Sequence, residues 1–132
     1  MKISRSTGYA ILAAGYMVKN QKEPIILSQR ISKEYNIPLE YLLKILQQLV
    51  RANVLMSKRG PRGGFSLARA PKDITMLEIV EAVDGPMACT LNLANQAKGE
   101  KFGAKAELVY KKAIDQSRAV FARTKLSDLM KK

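Results

Sequence analysis

The chain has 132 residues, 47% of them hydrophobic. Its 23 Lys and Arg against 11 Asp and Glu leave a formal net charge of +12. That length suits one domain with a real core, and no apolar run approaches the roughly 20 residues of a membrane span. With no histidine in the sequence, a Ser-His-Asp triad, a Cys-His pair and HExxH zinc chemistry are excluded.

The start, Met1-Lys2-Ile3-Ser4-Arg5-Ser6-Thr7, carries no signal-peptide pattern, and one cysteine cannot form an internal disulfide. The expected setting is a reducing cytoplasm with no membrane partner. The charge is unevenly placed. Residues 1–72 hold 13 basic and 3 acidic side chains, while residues 73–132 hold 10 and 8. A cationic half of +10 is suited to a polyanion.

In chain order, residues 8–19 read as a helix capped by Ser6 or Thr7, with Tyr9, Leu12, Ala13, Tyr16 and Met17 on one face. Ile25-Ile26-Leu27 suggests a minimal strand, and Ser28 is placed to cap a short helix ending near Tyr35. Asn36-Ile37 turns the chain, and Pro38 suits the first turn of a helix over 38–52. At 100° per residue, Leu39, Leu42, Leu43, Ile45, Leu46, Leu49 and Val50 share one arc of this helix. Glu40, Tyr41, Lys44, Gln47, Gln48 and Arg51 fill the other. Cations, carboxamides and a phenol are groups that contact phosphates and base edges, although an ordinary solvated face has similar composition.

The following segment favours the nucleic-acid reading. Strands over 54–59 and 65–69 flank the turn Gly60-Pro61-Arg62-Gly63-Gly64, and residues 51–72 contain six cations and no acid. A glycine-rich tip carrying Arg59 and Arg62 can enter a minor groove, where negative potential is concentrated. Helix, short helix, turn, amphipathic helix and basic hairpin together give the order of a winged helix-turn-helix. Thr75-x-x-Glu78 has capping-box spacing and opens a helix that Gly85 and Pro86 end. A loop is expected over 86–103. A long helix over about 104–123 follows, with Tyr110, Ala113, Ile114, Ser117, Val120 and Phe121 at helical spacing. Thr124 is placed to cap a last short helix. The long helix either pairs two copies or folds back to complete the core.

Ser4-Arg5-Ser6-Thr7-Gly8-Tyr9-Ala10, Tyr41-Leu42-x-x-Ile45-Leu46, Arg59 to Leu67 and Leu77 to Gly85 together resemble the BadM/IscR/NsrR/CymR family of bacterial winged-helix transcription regulators. The resemblance runs to about residue 90 and weakens beyond it. It implies a mainly α fold with a small β-wing, organised as a DNA-binding domain over 1–85, a sensor-type loop over 86–103, and a dimerisation helix with its tail over 104–132. It also implies a homodimer on a pseudo-palindromic double-stranded operator. By position, Ser28 and Gln29 begin the first helix of the pair and Tyr41 and Lys44 lie on the recognition helix. Arg59, Gly60 and Gly63 form the wing, with Arg59 matching an arginine that enters the minor groove. Leu43 replaces the discriminating acid of some members, so base preference does not carry over.

Cluster-binding members have three loop cysteines and a fourth ligand. This chain has Cys89 alone, with Ala97, Ala104 and Glu107 near the remaining positions. Alanine offers no donor to iron, so no cofactor is expected, and either the natural chain lacks a cluster or its ligand cysteines were replaced. Cys89 is a candidate redox thiol or a plain buried hydrophobe.

The expected function is that of a homodimeric, sequence-specific regulator, a repressor responding to redox, iron–sulfur, cysteine or stress signals. The alternatives are a non-specific nucleic-acid binder and a regulator acting through a protein partner, with a metabolic enzyme and RNA polymerase both left open. An enzyme is disfavoured, because the sequence has neither a nucleophile–base pair nor a metal-ligand cluster.

Overall fold

Helix α1 spans Arg5–Lys19 and buries Thr7, Ala10, Ala13, Ala14 and Met17. In the computed structural model, which describes residues 2–61 and 63–131, its cap is Ser4, whose side chain accepts from the Thr7 amide. Ser6 and Thr7, the expected caps, instead pair with Tyr41 and Asp84. Tertiary partners thus recruit both hydroxyls, and the helix begins three residues early.

Helices α2 (Ser28–Tyr35) and α3 (Leu39–Arg51) follow. The turn between them is set by Asn36 in the left-handed region (φ 55°) and by a bond from the Ile37 amide to the Ser32 carbonyl. Asparagine tolerates that conformation better than most residues. Pro38 stands just before α3, and its carbonyl accepts from Leu42. Ser28 does not cap α2. Leu27 occupies the cap position without a side-chain bond, and the Ser28 hydroxyl faces Gln29 Oε1 at 3.4 Å.

Strands β1 (Leu55–Lys58) and β2 (Gly64–Leu67) form an antiparallel hairpin pairing Leu55 with Leu67 and Lys58 with Gly64. The Ile25–Leu27 stretch contributes one bridge, in which Ile26 and Phe65 exchange both backbone hydrogen bonds. A 3-10 turn over Pro71–Asp73 leads into α4 (Met76–Asp84). Thr75 accepts from the Glu78 amide as expected, while the Glu78 carboxylate binds Arg69.

Two differences lie in the C-terminal part. A short α5 (Leu93–Gln96) forms within the predicted loop, and α6 (Lys101–Arg123) begins three residues early. Gly103 makes both possible. A Cβ there would stand 2.4 Å from the Ala97 Cβ and 2.6 Å from the Leu93 carbonyl oxygen, so its hydrogen lets α5 close on α6. Helix α7 (Leu126–Leu129) then returns to the core, capped at Lys125 rather than Thr124. The Met76 amide donates to the Thr124 carbonyl and the Leu126 amide to that of Ile74.

The core joins Met17, Ile26, Ile31, Ile37, Leu42, Leu46, Leu49, Val54, Ile74, Ile79 and, from the far end of the chain, Leu126. In α6, by contrast, the buried residues are Gly103 and Ile114. The long helix therefore does not complete the core; α7 does. Among the described residues no helix is long and apolar enough to cross a membrane.

Candidate nucleic-acid interface

Leu42, Ile45, Leu46 and Leu49 hold α3 against the core. That burial leaves Tyr41, Lys44, Gln47 and Arg51 exposed and Gln48 half-buried, the arc read from the sequence. The α2 start is split: Gln29 is exposed, while Ser28 is buried (7%) and offers little surface.

Tyr41 is anchored as well as exposed. Its ring meets Tyr9 edge-on, centroids 5.7 Å apart at 89°, and its hydroxyl pairs with Ser6. The first turns of α1 and α3 are thereby joined, and Arg5 in that turn of α1 is exposed. Behind this joint, Asp84 at the end of α4 accepts from Thr7 Oγ1 at 2.7 Å, from the Ser4 amide at 3.2 Å and from the Ser4 hydroxyl. Partial burial pushes the Asp84 carboxyl up, but the Ser4 and Thr7 donors outweigh it and hold it below its ordinary value. Sequence reasoning missed the positioning roles of Ser6, Tyr9 and Asp84. Its available signal was the density of hydroxyl and aromatic residues over 4–9.

The wing tip is tightly built. Gly60 has φ 105°, which favours glycine, and the Gly63 amide donates to the Gly60 carbonyl at 2.9 Å. A Cβ on Gly63 would lie 2.2 Å from the Lys58 carbonyl oxygen, and one on Gly64 would lie 2.6 Å from that of Ile26. Lys58 and Arg59 are exposed. Arg62, the other expected tip cation, lies outside the described residues.

One cation counted with the basic segment has a different role. Arg69 binds the Glu78 carboxylate, the Asn53 carbonyl at 3.1 Å and the Asp73 carbonyl at 2.8 Å. Those bonds join the base of the hairpin to α4. The Glu78 hydrogen bond raises the Arg69 pKa further, so this guanidinium is a structural ion rather than a free surface charge.

The loop after α4 has different chemistry. The Glu81 carboxylate accepts from Arg118 Nε at 3.2 Å and Nη2 at 3.1 Å and from the Met87 amide at 2.7 Å. The Arg118 bonds come first in holding the Glu81 carboxyl below its ordinary value; burial opposes them and the Met87 amide adds to them. Cys89 is partly exposed in a cleft of about 330 Å³ that Met87, Lys111, Ile114, Asp115 and Arg118 also line. Ala97 packs against α6 at Gly103, Ala104 is exposed, and Glu107 accepts from the Ala94 amide at 3.4 Å. Among the described residues no three His, Cys, Asp or Glu side chains group as metal ligands. One thiol and two methyl groups do not fit a thiolate-held iron–sulfur cluster.

Comparison with known proteins agrees with this architecture. A family model described as Rrf2, iron-dependent transcriptional regulator, matches residues 3–132. The HTH-type transcriptional regulator IscR of Cereibacter sphaeroides is 31% identical over 137 residues, covering 99% of this chain and 88% of that protein. An HTH-type transcriptional regulator of Aquifex aeolicus is 37% identical over 81 residues; this match covers 61% of the chain and little more than half, 56%, of that relative. Among solved structures, CymR, the global cysteine regulator of B. subtilis, superposes with a TM-score of 0.81 at 28% identity, covering 98% of this chain and 95% of that one. IscR of T. potens, at 22% identity and a TM-score of 0.73, shares the fold over 98% of this chain and 86% of its own.

Proposed function

The chain belongs to the Rrf2 family of transcriptional regulators, and from that premise we propose that it acts as a homodimeric repressor on a pseudo-palindromic operator, without an iron–sulfur cluster. In this reading α3 enters the major groove. Tyr41, Lys44, Gln47 and Gln48 face bases or backbone, Arg51 and Arg5 meet phosphates, and Gln29 approaches from the start of α2. The wing carries Arg59 toward the flanking minor groove.

The observation that carries the reading is the exposed apolar stripe on α6. Phe102, Ala106, Val109, Ala113 and Val120 are all exposed, Phe102 by 67% and Val109 by 70%. Their spacing places them on one side of the helix, about a third of a turn from buried Ile114. Such a row is suited to an identical row on a second copy, and a two-fold pair would present two α3 helices to successive major grooves about 34 Å apart.

The test is titration of a labelled duplex, selected from a random pool by the protein, against unselected duplex at rising salt, with sedimentation of both free and bound protein. A dimer that retains its preference at high salt supports the reading. A monomer, or a preference that vanishes with salt, refutes it. Bands between roughly 400 and 500 nm in anaerobically purified protein would overturn the cluster-free part.

A further inference from the structure

We propose that the Glu81–Arg118 pair is a positioning strut that fixes the roll of α6 against the DNA-reading unit and thereby selects the spacing of the operator's half-sites. This inference rests on the homodimer reading.

At 23 residues α6 is about 34 Å long. Its first half is mostly exposed. From residue 101 to 113 Gly103 is the buried position, and it is buried against α5. Further along, Tyr110 and Ile114 share a cavity lining with Val80 of α4, and at the helix end Thr124 accepts from Met76. An apolar contact and an end contact fix the position of a helix, but an apolar contact has no direction and permits rotation about the axis. Arg118, one turn beyond Ile114, removes that freedom. Its planar guanidinium meets both Glu81 oxygens, a two-point geometry that a rolled helix cannot keep. The third donor to Glu81, the Met87 amide, ties the same carboxylate to the loop that leads to α5 on the start of α6.

Small rolls matter because two-fold symmetry doubles them. A rotation of about 10° acting over ~20 Å, the scale of a domain this size, moves a DNA-reading head about 3.5 Å, one base-pair step. The stripe that would face the partner is carried rigidly by the same helix. The pair is also partly exposed, 41% at Arg118 and 22% at Glu81, and ion pairs of that kind contribute little to folding. Its loss therefore leaves a folded protein whose geometry can be measured.

The experiment uses the full chain and a duplex that the wild type selects from a random pool, remade with its half-sites moved one or two base pairs closer or further apart. The wild type is expected to prefer its own spacing by tenfold or more. Arg118→Ala is expected to lower that preference at least threefold while keeping the wild-type melting temperature and affinity for a single half-site. Lys111→Ala removes a cation from the same helix without touching Glu81 and is expected to keep the full preference. Arg118→Ala retaining the wild-type preference overturns the strut and leaves the dimer reading intact. A wild type with no spacing preference overturns both.

Discussion

Thr7 is fully buried, and its hydroxyl donates to Asp84 at the far end of α4. Replacing it with valine keeps the volume and removes the donor, leaving the exposed Asp84 carboxylate with only the Ser4 amide and hydroxyl among its described partners. Thr7→Val is expected to cost about 1–2 kcal/mol in urea unfolding. The Asp84 carboxyl has a folded pKa below its ordinary value, so the unfolded state binds its proton first as pH falls. Its contribution is complete above the ordinary carboxylate range and is lost as pH drops through the depressed folded value. Asp84→Asn is expected to flatten the acid limb of a stability-versus-pH curve and leave its neutral region less stable. At the wing, Arg59 is an exposed cation. Arg59→Ala is expected to weaken operator binding by about 1–3 kcal/mol, roughly 5- to 150-fold, as read by fluorescence anisotropy. Unchanged affinity and salt slope would remove Arg59 from the interface.

The hairpin shows how an element is specified by what it lacks. Gly63→Ala would drive a methyl group into the Lys58 carbonyl and Gly64→Ala one into Ile26. Each is expected to distort the wing, with amide shift changes concentrated over 55–67 and operator affinity lost, while α1 to α4 keep their amide protection. The wing and α3 were legible in the sequence because their signals are local: alternation, glycine punctuation, and a continuous apolar arc over Leu39–Val50. The capping of α1 was not, because Ser6 and Thr7 are drawn to Tyr41 and Asp84, partners 35 and 77 residues away. The early start of α6 was hidden for a related reason. Gly103 reads locally as a helix breaker, and its value lies in the close approach of α5. Likewise Arg69 counted as surface charge until its partner Glu78 came within reach.

At the scale of the whole molecule, the apolar residues divide between the core and an exposed stripe on α6 that the homodimer reading assigns to pairing. Phe102 and Val109, both highly exposed, lie about two turns apart on one side of α6. Phe102→Glu with Val109→Glu is expected to give a folded monomer by sedimentation, with an unchanged thermal transition at high dilution and operator affinity reduced at least tenfold. A double variant that stays dimeric would move the pairing surface elsewhere.

Leu126, 1% exposed, sits in the same core as Leu42 and Ile79. A ribosome must therefore release the chain through residue 126 before this core can close. Until then the nascent segment leaves a gap beside Ile74, where the Leu126 backbone and side chain belong. Transcripts cut short ahead of the codon for residue 126 would yield defective, protease-sensitive products with an incompletely packed core.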